Sequence, residues 1–251
     1  MKTLLLTLSL IIISPHLFSQ SIAIGEDGIV RCKDVAIGTT EVISGETYEV
    51  VDRSLLEQRR DEGADLSKSC VSNVTDMSRL FYRKYYINPD IGNWDVSSVT
   101  TMERMFYQST EFNQDISNWD VSSVTNMKSM FYEAHRFNQP IGNWDVSSVT
   151  DMVEMFEDAV SFSKDIGNWD VSSVTNMSEM FYFSRYFNQD IGNWDVSSVT
   201  NMKSMFRVAR SFNQDLSKWC VSQISSEPVE FSTNSPLTEE NKPKWGTCPS
   251  N

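Results

Sequence analysis

Apolar positions recur along this chain with a period of 25 residues. From Phe112 to Arg136 the run reads FNQDISNWDVSSVTNMKSMFYEAHR. It returns as FNQPIGNWDVSSVTDMVEMFEDAVS, FSKDIGNWDVSSVTNMSEMFYFSRY and FNQDIGNWDVSSVTNMKSMFRVARS, with a further copy upstream over 87–111. Tryptophan marks the period at Trp94, Trp119, Trp144, Trp169, Trp194 and Trp219. Two shorter periods alternate inside one copy. Ile116, Trp119 and Val121 follow L-x-x-L-x-L, which predicts a strand around 119–121 with Trp and Val on one face. Val124, Met127, Met130, Phe131 and Ala134 fall three or four apart, which predicts a short helix capped by Ser122 or Ser123. Phe137-Asn138-Gln139 then turns the chain back, with Gly142 ahead of the next strand. A strict period of this length predicts an α/β solenoid, in which each unit buries its apolar face only against its neighbours.

The ends depart from the pattern in ways that divide the chain. Residues 1–20 carry Lys2 and then an apolar run from Leu4 to Ile13, too short for a bilayer and suited to a secretory signal peptide. Residues 21–65 form an N-terminal cap: short β-branched runs broken by glycines read as hairpins, and 54–63 reads as a short helix with a Ser cap and a terminal Gly. The solenoid runs over 66–219, beginning with a degenerate copy in which Ser69 and Cys70 stand where Trp and Asp are expected. Residues 220–251 form the C-terminal cap, with Cys220 again in the Asp position and Pro228 stopping any further helix. Four cysteines, Cys32, Cys70, Cys220 and Cys248, allow three pairings. Parallel strands about 4.8 Å apart would place the two ends of six repeat steps roughly 29 Å apart. A disulfide needs Cα atoms within about 7 Å, so the end-to-end pairings fail and Cys32–Cys70 with Cys220–Cys248 remain.

Strand, short helix and return loop describe leucine-rich-repeat architecture, and the unit FNQDIGNWDVSSVTNMKSMF resembles the 25-residue repeat of BspA-like leucine-rich-repeat surface proteins. GETYEVVDRSLL and SCVSNVTDMSRLF resemble that family's N-terminal cap; LSKWCVSQI and PKWGTC resemble its C-terminal cap. The resemblance implies an α/β leucine-rich-repeat solenoid of about six to seven coils with parallel strands and disulfide-stapled caps. It also implies a secreted or surface-displayed protein, suspected of adhesion and without catalytic residues. Val124 and its counterparts replace the usual Asn of the inner ladder, so an asparagine ladder is expected elsewhere, at Asn113, Asn138, Asn188 and Asn213.

The formal charge is −13, and one unit more negative without residues 1–20, which hold Lys2 and no acid. A chain this acidic repels phosphate backbones, which excludes nucleic acid as a partner, and favours cations or basic partners. The Asp column at Asp95, Asp120, Asp145, Asp170 and Asp195 lies between inward Trp and Val positions and therefore points outward. Two unit charges at 4.8 Å repel by roughly 1 kcal/mol even in water. Two devices answer that repulsion: each Asp bonding to the Ser two or three residues on, or a weakly bound cation such as Ca²⁺ bridging rungs. Tyr107, Tyr132 and Tyr182 form a candidate tyrosine stripe with Arg136, Arg185, Arg207 and Arg210 beside it, the residue types enriched at interface hot spots. The tryptophans, by contrast, are expected in the core.

Catalytic chemistry finds few residues to use. The one histidine beyond residue 20 is His135, all four cysteines are assigned to bridges, and neither G-x-S-x-G nor H-E-x-x-H occurs. No segment after residue 20 is apolar enough to span a membrane, and no cofactor is implied. The expectation is a non-catalytic secreted or cell-surface module that binds a protein or glycan in adhesion. A structural spacer without a ligand is the alternative, and a carboxylate-based glycosidase a more distant one.

Overall fold

The computed structural model describes residues 21–249; the apolar run read as a signal peptide lies outside them. The N-terminal cap holds the regular secondary structure. Strands β1 (Ala23–Ile24) and β2 (Val30–Arg31) pair antiparallel, as do β3 (Thr40–Ile43) and β4 (Glu46–Val50). Helix α1 (Arg53–Asp61) follows. Its cap is Asp52, whose carboxylate accepts from the Leu55 N–H, two residues earlier than the expected Ser54. Gly63, at φ +72°, ends the segment. Strand β5 (Ser69–Cys70) joins β4 in parallel, pairing Val50 with Cys70, while Val30 of β2 bridges in parallel to Trp94. The cap thus hands its backbone pairing directly to the first repeats.

Beyond β5 the expectation of an α/β leucine-rich-repeat solenoid is overturned. Among the described residues α1 is the one α-helix and the sheets are small; no repeat carries a helix, and none carries a strand at its Trp-x-Val. Trp119 and Val124 instead donate to carbonyls three residues back, Ile116 and Val121, closing local turns. The parallel contacts are single-residue bridges a few positions further on. They run Asp76 to Thr101, Thr101 to Asn126, Asn126 to Asp151, Asp151 to Asn176 and Asn176 to Asn201.

The segment expected to be helical shows why. Two residues per unit sit at positive φ, among them Ser129 (52°) and Glu133 (50°), Glu154 (56°) and Asp158 (48°), and Ser204 (53°) and Val208 (58°). A left-handed residue cannot continue a right-handed helix. Each instead sits at the third position of a turn, as in a type II turn: Met130 donates to Met127, and Ala134 to Phe131. The remaining N–H groups turn outward along the stack. Met127, Ser129, Phe131 and Glu133 donate to the carbonyls of Asp151, Val153, Met155 and Glu157 at 2.7–3.1 Å. Backbone groups that a helix would satisfy within itself are satisfied by the next unit.

Turns with this alternation keep the three-and-four spacing of apolar side chains, so the burial pattern survives the change of secondary structure. Val124, Met127, Met130, Phe131 and Ala134 are all buried, as are the tryptophans. Neighbouring indoles lie near-parallel, with centroids 6.4 Å apart from Trp94 to Trp119 and from Trp119 to Trp144. Each indole N–H is satisfied in the preceding unit; Trp119, Trp144 and Trp169 donate to the carbonyls of Ile91, Ile116 and Ile141 at 3.1 Å. Phe106, Phe131, Phe156, Phe181 and Phe206 stack at 5.5–5.8 Å in a second file. One continuous core runs from Val51 to Leu237.

Asparagines supply a further ladder. The side-chain oxygens of Asn88, Asn113, Asn138, Asn188 and Asn213 accept from the backbone N–H of Asn113, Asn138, Ser163, Asn213 and Thr238, 25 residues on. This is the ladder expected at Asn113, Asn138, Asn188 and Asn213. The ends are stapled by Cys32–Cys70 and Cys220–Cys248, the expected pairing.

Candidate binding face and its carboxylate cluster

The residue after the stacked phenylalanine, half-exposed in most units, forms an outward file: Tyr82, Tyr107, Tyr132, Glu157, Tyr182 and Arg207. The in-register bridges place each 25-residue successor beside its predecessor. Tyr82 stacks on Tyr107 with centroids 4.9 Å apart, and Tyr107 on Tyr132 at 4.3 Å and 7° between ring planes. Tyr182 does not join this stack, because Glu157 stands between. It pairs instead with Arg207, whose guanidinium donates to the Tyr182 hydroxyl at 3.0 Å and lies 5.1 Å from its ring centroid. The expected stripe of Tyr107, Tyr132 and Tyr182 is therefore two pieces: a three-ring stack that includes Tyr82, and a separate Tyr–Arg pair. Arg136 is taken up by Glu111 at 2.8 Å, while Arg185 and Arg210 are exposed.

Burial pushes the Tyr107 and Tyr132 hydroxyls above their ordinary value; for Tyr132 the nearby Glu157 carboxyl adds to the effect. These are neutral rings near neutral pH, with their edges to solvent.

Glu157 is the feature the sequence reading passed over. It heads EDAVS, at 157–161, and takes a tyrosine's place in the file. The residue is only 8% exposed, and its Oε2 has no hydrogen-bond partner. One oxygen from each of Glu154, Glu157 and Glu179 lies within 4.8 Å of the others. Burial first, then the Glu154 and Glu179 charges, push the Glu157 carboxyl up to about 8. The signal was present in the sequence as an acid replacing an aromatic at one rung of a regular file.

The Asp column lies on a different side and is bonded locally. Asp95, Asp120, Asp145 and Asp170 each accept from both the N–H and the hydroxyl of the serine two residues on, at 2.6–3.2 Å. Asp195 accepts from the Ser197 N–H. These bonds hold the Asp145 and Asp170 carboxyls below the usual carboxylate range. Repulsion from Asp170 opposes the shift at Asp145, as adjacent rungs require. Asp95 is half-buried and also accepts from the Ser72 hydroxyl at 2.7 Å; the other four are exposed.

His135 lies 3.5 Å from Asp158, and among the described residues no cysteine is free. Among the described residues no helix is long and apolar enough to cross a membrane.

The family model described as "Mycoplasma protein of unknown function, DUF285" matches residues 53–165 and again residues 139–245. No curated protein and no solved structure matches the chain.

Proposed function

The chain belongs to the DUF285 family, and from that premise we propose that it is a secreted or cell-surface, non-catalytic binding module that recognises a protein or glycan in adhesion. The observation that carries this reading is the Tyr82–Tyr107–Tyr132 stack, three half-exposed rings held face to face by a backbone in register. Large rings already fixed in place lose little conformational freedom on binding, which is how aromatic anchors come to dominate recognition surfaces. Exposed ring edges and phenolic hydroxyls suit sugars and the polar or aliphatic side chains of a protein partner equally. Two disulfides and a strongly acidic surface agree with an oxidising, extracellular setting. A non-catalytic role is part of the proposal: the two disulfides occupy all four cysteines, and the one carboxylate recorded against His135 is Asp158.

The test is a glycan-and-protein array probed with the purified chain, followed by Tyr107→Ala and Tyr132→Ala on any hit, with Tyr182→Ala as a control outside the stack. Saturable binding is expected, weakened at least about tenfold by either stack variant and little by the control. Silence across host, matrix and envelope ligands would favour a spacer with no ligand of its own. Binding that survives both stack variants would move the recognition surface elsewhere.

A further inference from the structure

We propose that Glu154, Glu157 and Glu179 form a binding site for a hard divalent cation, Ca²⁺ foremost. Two of the three occupy the same position in successive units, 25 residues apart. The Asp151–Asn176 bridge and the Glu154 N–H donating to the Ser178 carbonyl hold those units in register. The third lies one turn further along its own unit, its N–H donating to the Glu154 carbonyl. One oxygen from each then falls within 4.8 Å of the others, a spacing that a single ion ligated at 2.3–2.6 Å can bridge.

A carboxylate cluster alone would only be an acidic patch. Here one member is withdrawn from water: Glu157 is 8% exposed, and its Oε2 meets no donor. An uncompensated buried carboxylate is costly, so the cluster must take up positive charge, as a proton or as a cation. Local compensation is slight. Lys203 stands 3.3 Å from Glu179, the Ser129 hydroxyl donates to Glu154 at 2.7 Å, and Tyr132 favours the Glu157 carboxylate by less than burial opposes it; Glu157 Oε2 still has no partner. Elsewhere in the column these positions hold Arg79 with Tyr82, Arg104 with Tyr107, and Ser204 with Arg207, so the acids converge at a single junction of an otherwise regular ladder. Oxygen-only ligation by carboxylates selects Ca²⁺, Mg²⁺ or Mn²⁺ over zinc or copper. The close approach of three flexible carboxylates suits Ca²⁺ better than the strict octahedron of Mg²⁺.

The site stands apart from the tyrosine-stack reading: array silence would leave it untouched, and its own failure would leave the stack untouched. The test titrates the purified chain with Ca²⁺, Mg²⁺ and Mn²⁺ by calorimetry, and with Tb³⁺ read by luminescence sensitised through the neighbouring tyrosine Tyr132. A single Ca²⁺ site is expected, with a higher Tm in Ca²⁺ that a chelator reverses. Glu157→Gln should weaken it at least about tenfold, while Asp170→Asn should leave it unchanged. If Glu157→Gln does not fold, by near-ultraviolet circular dichroism, the half-buried Glu179→Gln decides, with the same loss expected. Absence of binding by all three ions up to about 10 mM, above the range of extracellular Ca²⁺ modules, would overturn the proposal in favour of a protonated cluster. Equal affinity in the wild-type chain and the glutamine variants would overturn it too.

Discussion

The N-terminal cap and the repeat column solve the same problem in opposite ways. In the cap, most backbone groups are satisfied over short sequence distances: β3 pairs with β4 across the Ser44–Gly45 turn, and α1 bonds within itself between Asp52 and Gly63, the Val50–Cys70 and Val30–Trp94 pairings being the longer ones. In the column, backbone bonds divide between three-residue turns and partners 24 or 25 residues away, as from Ser129 to Val153 and from Thr125 to Thr100. Side chains follow suit. The cap relies on ion pairs such as Arg59–Glu49 at 2.6 Å and on the Cys32–Cys70 staple. The column relies on files of like rings, each touching its own counterpart. Regular secondary structure is therefore no measure of order in this molecule. The region with almost none of it holds the longer core.

The largest effect expected from this difference comes from removing one ring of a file. Phe156 is fully buried and stacks on Phe131 at 5.7 Å, Phe181 at 5.8 Å and Phe162 at 4.1 Å. Phe156→Ala should cost about 3–5 kcal/mol, because units locked in register leave a cavity little room to collapse. Urea denaturation followed by tryptophan fluorescence reads it directly. A midpoint within error of the wild-type chain would mean that the files do not carry the column's stability.

Much of this arrangement was legible in the sequence, and the rest was hidden for a definite reason. The period, the inward tryptophans, the staples, the asparagine ladder and the serine partners of the Asp column all follow from spacing, which stacking units must preserve. The secondary structure did not follow. Apolar residues at Val124, Met127, Met130 and Phe131 suit a helix and suit alternating turns equally. The residues that distinguish the two are those at positive φ, and they are not glycines. Arg104, Gln108, Ser129, Glu133 and Val208 carry no local mark of left-handed backbone, because bonds to the next unit enforce it. The carboxylate cluster was hidden differently. Glu154 and Glu157, three apart, with Glu179 one period on, would meet in a helical coil too; what the spacing does not reveal is that Glu157 is buried without a partner for its Oε2.

A glycine scan sharpens the comparison at a smaller scale, because the two regions should respond with opposite sign. Gln58 lies inside α1, where glycine costs about 1 kcal/mol through backbone entropy. Ser204 sits at φ 53° in the column, where a Cβ is itself strained by about 1 kcal/mol. Gln58→Gly should therefore destabilise by about 1 kcal/mol, and Ser204→Gly should be neutral or stabilise by up to about that much, after the added entropy of the unfolded chain. Equal losses at both positions in thermal or urea melts would argue for helix in the column after all.

The smallest effect is expected from acid, and it tests whether the Asp column is held by its serines. Asp145 and Asp170 have folded-state pKa values below the ordinary carboxylate range, through the hydroxyl and N–H of Ser147 and Ser172. Asp115 and Asp215 are lowered in the same way by Ser117 and Ser217. A depressed folded value means that the unfolded chain binds protons first as pH falls. The stability these groups contribute is thus complete above the unfolded carboxylate value of about 3.9 and is lost as pH drops through the lower folded ones. Glu157 acts with the opposite sign and at higher pH: its raised value, about 8, makes stability grow as pH falls from there toward the ordinary glutamate range, and adds no slope below it. The acid limb is therefore shared between the Asp columns and arginine-paired carboxyls such as Asp27 and Asp61, which are lowered too. Each of these groups is largely exposed, so solvent screening keeps each contribution small. Replacing Ser147 and Ser172 by alanine together should make the fall in Tm between about pH 4 and pH 2 shallower than in the wild-type chain. Identical acid limbs in the two proteins would place the lowering of these carboxyls somewhere other than the serines.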